Sequence, residues 1–440
     1  MDLRPPYPGY LDRLTKSLTH ALPDNGPPPS HFAGVPERLG QAISAAVERR
    51  AQDIVTLSHD IHAKPELVYA EHESVRRLAS LLADHGHDAE IGVFGIDTAL
   101  RATARGTAGS DRPRVAILAE YDALPGIGHA CGHNVIAAAA AGAFMALADV
   151  IRDLDGSVVL YGCPAEEGGG GKELMARAGA FDDVDAAVML HPAGFEVSEH
   201  PWIGVRTIDV VYQGLTAHAS MFPFLGRNAL DAVVTAYNGI SQLRQHILPS
   251  DRIHGIITDG GQKPNIVPGR AAASFFLRSV EPETLRELCD RARTIFEAAA
   301  HATGTKLEIE WDPVPVYLPV RNNSPLANRY AQHLVGRGRQ VLPPGVIPDH
   351  LTASTDLGNV SVRIPAIHPT LKIAPADASI HTAEFAAHAI SAEADRGCVD
   401  GAIGLALTAA DFLTDAALRQ ATRDAFEDGG GALDVDALLA

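Results

Sequence analysis

From Ala119 to Asn134 the chain reads AEYDALPGIGHACGHN, directly after the apolar run RVAIL. Two acidic residues, a cysteine and two histidines are crowded among proline and glycines. Cys131 and His133 stand two apart; on a helix they would point to nearly opposite sides, but in a glycine-bounded turn both can face one ion. Thiolate, imidazole and carboxylate are the donors that suit Zn²⁺ and, to a lesser degree, Mn²⁺ or Co²⁺. Glu167, His191 and a later histidine extend the set to five donors. That is more than one catalytic ion takes, so two divalent ions sharing a ligand and a water are the economical reading.

The second element is PAEEGGGG. Successive side chains outside a helix diverge, so one carboxylate can hold metal while its neighbour takes a proton from the attacking water. Glu167, nearer the following helix, is assigned as the ligand and Glu166 as the general base. Acidic pairs before a helix also favour its dipole, but four glycines open space around this one. Asp122 is assigned to the outer layer, as the acceptor that fixes the His133 tautomer. His59 and His62, in SHDIHAKPEL, read as helix-packing residues.

The elements that must position these groups follow from hydrophobic pattern. RVAILAEYD, SVVLYGCPAEE and AAVMLH are short β-rich runs, with helical stretches such as VIAAAAAGAFMALADVI between them, which predicts an α/β domain with a mostly parallel sheet. Each strand runs out into a candidate ligand, and in such sheets the ligand crevice lies at the carboxyl ends. From Gly204 to about Glu310 the order becomes βαββαβ, a ferredoxin-like insertion. The expected division is an irregular Pro/Gly-rich arm over 1–40, a metal-binding catalytic domain over 41–203 and 319–425, the inserted domain over 204–318, and a loose tail over 426–440. One helix is expected from QAISAAVERR to Pro65, and another from about Thr382 to Leu413.

Composition narrows the partners. A formal charge of −18 over 440 residues argues against nucleic acid or an anionic membrane surface, leaving a small molecule or peptide. MDLRPPYPGYLDRLTKS has no apolar core, and no run of about 18 apolar residues is found, so neither a secretory leader nor a membrane span is expected. Cys163, Cys289 and Cys398 read as core residues, and four cysteines are too few for a disulfide framework. A cytoplasmic location is expected.

EYDALPGIGHACGHN, PAEEGGGGK, GLTAHAS, PNIVPGRAAASFFLR, STDLGNVS and IHTAEF, in that order, resemble the peptidase M20 family of metal-dependent amidohydrolases. Within it they are similar to the aminoacylase-1-like 2 branch, to which one of the p-aminobenzoyl-glutamate hydrolase chains belongs. The likeness runs from about His59 to the last helix. It implies a dinuclear site on Cys131, His133, Glu167, His191 and His381, with Glu166 as base. It further implies that the inserted domain is a lid through which two subunits pair as a homodimer, and that His218 of this lid polarises the scissile carbonyl, often across the dimer. Asn265 and Arg278 are then the residues that hold the substrate carboxylate. Asn134 stands where many relatives carry Asp, although the nearer branch also has Asn.

The expected reaction is hydrolysis of the amide of an N-acyl amino acid or small dipeptide-like substrate, with a water shared between two ions as nucleophile and Glu166 as base. Two rivals are a Cys–His hydrolase with Cys131 as nucleophile and His133 or His129 as base, and a non-catalytic metal-binding subunit. The first leaves Glu166, Glu167, His191 and His381 without a role; an intact base opposes the second.

Overall fold

Apolar runs become strands wherever both faces of the sheet are covered. The computed structural model describes residues 29–106, 113–349 and 352–439, with Gly9, Arg13 and Lys16; most of the arm expected over 1–40 therefore lies outside the described residues. Along the chain come β1 (Ala89–Ile91), β2 (Leu100–Arg105), β3 (Arg114–Glu120), β4 (Ser157–Cys163), β5 (Ala186–Val188) and β6 (His191–Ala193). Next are β7 (Gly204–Gln213), β8 (Arg252–Asp259), β9 (Arg270–Ser279) and β10 (Lys306–Trp311), then β11 (Ala366–Ile367) and β12 (Thr370–Lys372).

Two compact units result. The first takes in the described residues up to His200, Arg321–Ile347 and Val360–Leu433; the second takes in Pro201–Val320, the described residues of Pro348–Asn359, and the chain from Asp434. In the first unit the sheet order is β1-β2-β4-β3-β5-β11. The pairs β3–β4, β3–β5 and β5–β11 are parallel, whereas β1–β2 and β2–β4 are antiparallel. β3 is buried from Val115 onward, as a strand covered on both faces must be. It runs level with β4, with Glu120 beside Cys163 at their carboxyl ends. The turns carrying Asp122, Cys131 and His133 and those carrying Glu166 and Glu167 therefore start side by side.

Helix His133–Val150 packs behind this sheet, and its alanine run lets neighbours approach closely. A Cβ at Gly142 would come within 2.6 Å of Ile54 Cδ1 and 3.0 Å of Ala402 Cβ. Two segments, His133–Asp153 and Ala392–Thr414, are long and apolar enough to cross a membrane by composition, but most residues of their apolar stretches are buried and they serve as core helices.

The second unit is a four-stranded antiparallel sheet in the order β10-β7-β9-β8 with helices Ala229–Leu243 and Pro282–Thr303, the ferredoxin-like order. Burial alternates residue by residue along β7, because only one face is covered.

Several local expectations need correction. The first predicted helix is two, Glu37–Arg49 and Ala51–His62. They break at Arg50, whose guanidinium bonds Asp149 at 2.8 and 3.0 Å. The helix expected over Thr382 to Leu413 is also two, Ala383–His388 and Ala392–Thr414; Ser391 Oγ accepts from Ala394 N and caps the second. The tail is not loose. Helix Ala416–Asp428 extends into it, Leu433 N donates to Val362 O at 2.8 Å, and Asp434 caps a last helix, Val435–Leu439. His191 does not continue β5 but opens β6, which pairs with β12 in a separate ladder, Thr370 opposite His191. The described residues of 348–359, assigned by sequence to the catalytic domain, cluster with the second unit.

Candidate active site

Gly132 carries the local geometry that makes a metal-type turn possible. Its φ of +82° lies in the left-handed region, and a Cβ there would stand 2.9 Å from Pro192 Cβ, so only glycine fits. The chain reverses at this residue and helix His133–Val150 begins. Cys131 and His133, on either side, thereby face one cluster. Cys131 Sγ lies 3.3 Å from His191 Nε2, and one donor atom from each of Cys131, His133 and His191 lies within 4.8 Å of the others. The same holds for Cys131, Glu167 and His381, and for His133, Glu166 and Glu167.

His381 reaches the cluster from the far end of the chain. Its φ is +63°, its N–H donates to Ala130 O at 2.8 Å, and its Nε2 lies 3.3 Å from Glu167 Oε1. Glu166 sits beside the donors, with Oε2 3.8 Å from His133 Nε2. The two glutamates do not diverge as expected: each brings an oxygen to His133 Nε2, at 3.8 Å for Glu166 and 4.0 Å for Glu167, from a turn in which Ala165, Gly168 and Gly170 all adopt positive φ.

Tautomers are set from outside the cluster. His133 Nδ1–H donates to Asp122, whose backbone O lies at 2.9 Å and Oδ1 at 3.0 Å. His191 Nδ1–H donates to Pro192 O at 2.8 Å. Both rings then turn Nε2 inward, as metal-binding imidazoles do. Asp122 also accepts from Glu167 N at 2.8 Å.

Electrostatics agree with that arrangement. Burial pushes the Cys131 thiol well up and Glu167 adds to it; burial and His133 lower His191 to about 4. Burial would raise Asp122 and Glu167, yet His133 holds the first below its usual value and the bond to His381 holds the second below its own. Burial would lower His133, yet Asp122 and Cys131 hold it well above its usual value, so a cation entering among these carboxylates displaces protons from both the thiol and this imidazole. Buried His133 Nε2 makes no hydrogen bond, and Glu167 Oε1 has its charge partner in His381 Nε2 at 3.3 Å. Thiol, imidazole and carboxylate atoms that converge within 4.8 Å of one another are what a divalent ion satisfies, so the residues present fit a metal centre.

His218, Asn265 and Arg278 all fall in the second unit. His218 Nδ1 accepts from Met221 N at 3.2 Å and lies 3.3 Å from Ser220 Oγ. Its backbone bridges Ile266, and Ala219 N donates to Asn265 O at 3.0 Å, so His218 and Asn265 are neighbours. Arg278, on β9, donates to Ser354 Oγ at 2.6 Å and to His254 Nε2 at 3.3 Å. His59 bonds Asp395 at 2.7 Å, and His62 bonds Ala386 O at 2.8 Å.

Sequence reasoning missed Glu120 and Lys172. Both are wholly buried and paired with each other, and Glu120 Oε2 lies 3.6 Å from His133 Nε2. The signal in the chain was an acid at the last position of a buried strand and a lysine directly after a glycine run opening a helix.

A thiol, imidazoles and carboxylates gathered at the carboxyl ends of an α/β sheet define a hydrolase that works with divalent ions. Comparison gives the family. The model of peptidase family M20/M25/M40 matches residues 116–390. The Xaa-Arg dipeptidase of Mus musculus is 36% identical over 401 residues, covering 89% of this chain and 93% of its own. A p-aminobenzoyl-glutamate hydrolase chain of Escherichia coli (strain K12) is 30% identical over 459 residues, covering 87% and 94%. Among solved structures, a Bacillus subtilis dinuclear metal binding peptidase of the M20 family aligns with a TM-score of 0.64 at 20% identity, over 83% of this chain and 99% of that one. The chain belongs to peptidase family M20/M25/M40 and is a hydrolase of amide or peptide bonds.

Proposed function

We propose that this protein hydrolyses the amide of an N-acyl amino acid or a dipeptide-like substrate, with Cys131, His133, Glu167, His191 and His381 holding two divalent ions, Zn²⁺ first among candidates. The observation that carries the reading is the convergence of these donors beside Glu166. Ions bound there supply Lewis-acid polarisation of the carbonyl and lower the pKa of water. Glu166 takes the proton of the attacking water and hands it to the leaving amine. Asp122 keeps His133 in its ligating tautomer and holds the backbone of Glu167. His218 donates to the developing oxyanion, and Asn265 and Arg278 hold the substrate carboxylate. The relatives named as an Xaa-Arg dipeptidase and a p-aminobenzoyl-glutamate hydrolase support a substrate with a free carboxylate beside the scissile amide.

We place His218 in the site of a partner subunit within a homodimer. Support comes from the apolar loop that follows it, where Met221 is 66% exposed and Phe224 73%; a chain of this charge gains by covering such a patch. The free, buried cysteines support action in the cytoplasm.

A Cys–His hydrolase fits less well. Cys131 Sγ lies 3.3 Å from His191 Nε2, whose value near 4 makes it a poor base, and burial, with Glu167, keeps the thiol well above its ordinary value and so short of thiolate. His129, lowered to about 3 chiefly by burial, is poorer still.

The test is metal analysis of the purified protein, then a hydrolysis screen over N-acyl amino acids, aminobenzoyl-glutamate and dipeptides including Xaa-Arg. Turnover that stops with a chelator and returns with Zn²⁺, Mn²⁺ or Co²⁺ is expected. Turnover indifferent to chelation sinks the metal reading.

A further inference from the structure

Glu71 lies outside the donor cluster and is wholly buried, yet its carboxylate is fully engaged. Oε1 accepts the backbone N–H of Tyr69 and of Ala165, each at 2.9 Å, and Oε2 accepts the Thr98 hydroxyl at 2.8 Å. The two amide donors share a rarity. Tyr69 has φ +61° and Ala165 φ +63°, the left-handed region where a Cβ crowds the following carbonyl. Ala165 immediately precedes Glu166.

A second contact closes the loop from its other side. The Tyr69 hydroxyl donates to Gly169 O at 2.7 Å. A Cβ at Gly169 would stand 2.6 Å from Ala165 Cβ and 2.7 Å from Val68 Cγ1, so the segments touch with no room to spare. The stretch 68–71 thus clasps residues 165–169 before and after the Glu166–Glu167 pair. Just upstream, Glu66 O accepts from Ala123 N at 2.8 Å, tying the Asp122 turn to the same stretch.

We propose that Glu71 is a positioning residue for hydrolysis: by gathering the N–H groups of Tyr69 and Ala165 on one oxygen, it holds the left-handed turn that sets Glu166 beside the donor cluster, whereas Glu167 is held separately through its N–H by Asp122. The inference rests on the reading of Glu166 as the base. Its physical content is an acceptor in a fixed place, not a charge. Both amides converge on a single oxygen, which a glutamine carbonyl can replace, while the glutamine NH₂ can donate to the Thr98 hydroxyl. Burial, aided by Asp122, already raises Glu71 to about 7, so the neutral form is at home there.

Three variants test this: Glu71→Gln, Glu71→Leu, and Glu71→Leu combined with Ala165→Gly. Glycine takes positive φ at no steric cost, so it should replace what Glu71 supplies. The conservative Glu71→Gln should keep kcat within about threefold. Glu71→Leu should lose about 10- to 100-fold in kcat, the scale of a roughly 1 Å misplacement, with KM within about threefold and full metal content by elemental analysis. Adding Ala165→Gly should restore about tenfold of that loss. Hydrogen exchange gives a readout independent of turnover, and in Glu71→Leu it should quicken in residues 163–171 and not across the whole protein.

Wild-type kcat with unchanged exchange in Glu71→Leu overturns the proposal. So does a loss that glycine fails to rescue, or exchange that quickens everywhere, since each marks a merely structural carboxylate. If Glu71→Leu does not fold, Glu71→Asp, which retracts the oxygen by one methylene, takes its place with the same expectations. A wild-type protein without any amide hydrolysis would sink the functional reading alone; segment-specific exchange still decides the clasp.

Discussion

Replacing Asp122 with asparagine would separate its role as an organiser of ligands from that of a mere buried charge. Its two oxygens serve different donors: Oδ1 lies 3.0 Å from His133 Nδ1, and Oδ2 accepts from Glu167 N at 2.8 Å. A carboxylate satisfies both, but a carboxamide offers one acceptor and turns an NH₂ toward the other donor. In one orientation the Glu167 amide is left buried without its acceptor. In the other, the carboxamide NH₂ faces His133 Nδ1–H, which keeps only the backbone O of residue 122 as acceptor and is pushed away by the second donor. An unsatisfied buried donor costs about 1–3 kcal/mol, and at about 1.4 kcal/mol per tenfold this weakens metal binding roughly 5- to 150-fold. The loss usual for outer partners of metal-binding histidines, about 10- to 100-fold, falls in that interval. Competition with a chromophoric chelator measures the Zn²⁺ affinity of Asp122→Asn against wild type, and circular dichroism confirms the fold. An affinity within twofold of wild type would show that Asp122 does not set the His133 tautomer.

Glu166→Gln should keep its metal content and bind substrate while losing about 10²- to 10⁴-fold in turnover; a variant within a few-fold of wild type removes Glu166 from the reaction. His218→Ala should lose about 10²- to 10³-fold in kcat. Mixing it with Glu166→Gln under subunit exchange should restore activity if the histidine serves a neighbouring site, and no recovery despite proven exchange excludes that arrangement. Glu196 supplies a pH test. Burial raises it to about 7 against the opposing charge of Arg339 at 3.2 Å, which also pairs with Asp400 at 2.8 Å. A carboxyl whose folded value exceeds its unfolded value near 4.5 adds stability at low pH that is lost as pH rises through about 7. Wild type should therefore lose up to about 3 kcal/mol relative to Glu196→Gln between those limits in urea melts; parallel pH curves for the two proteins would refute this.

Much of the cluster could be read from sequence because its signals are local. A thiol and imidazole around one glycine, and two acids before a glycine run, each sit where a buried strand ends, and strand ends are legible as apolar runs. His381 carried no such mark and came only with the family resemblance. Glu71 and Lys172 escaped because their meaning is non-local: Glu71 receives its donors from Tyr69, Thr98 and Ala165, three separate stretches of chain. The break at Arg50 escaped for a similar reason, since its bonds to Asp149 cross from another helix. The tail was misread because glycines outweighed the short capped pattern around Asp434.

Four of the cluster's donors are tethered by bonds that owe nothing to an ion: His133 to Asp122, His191 to Pro192 O, Glu167 N to Asp122, and His381 N to Ala130 O. Folding and loading are therefore expected to be separable events. Small zinc modules come apart when a chelator takes their ion, whereas this chain should reach its native shape in an ion-poor medium and wait as a ready receptor. What loading adds to stability is then only the mass-action increment, about 2.7 kcal/mol at a free-ion level one hundred times the dissociation constant. The occupant becomes a matter of supply: a stripped molecule can be refilled with a different borderline ion without being unfolded, so the metal carried at any moment reports the medium the protein last equilibrated with.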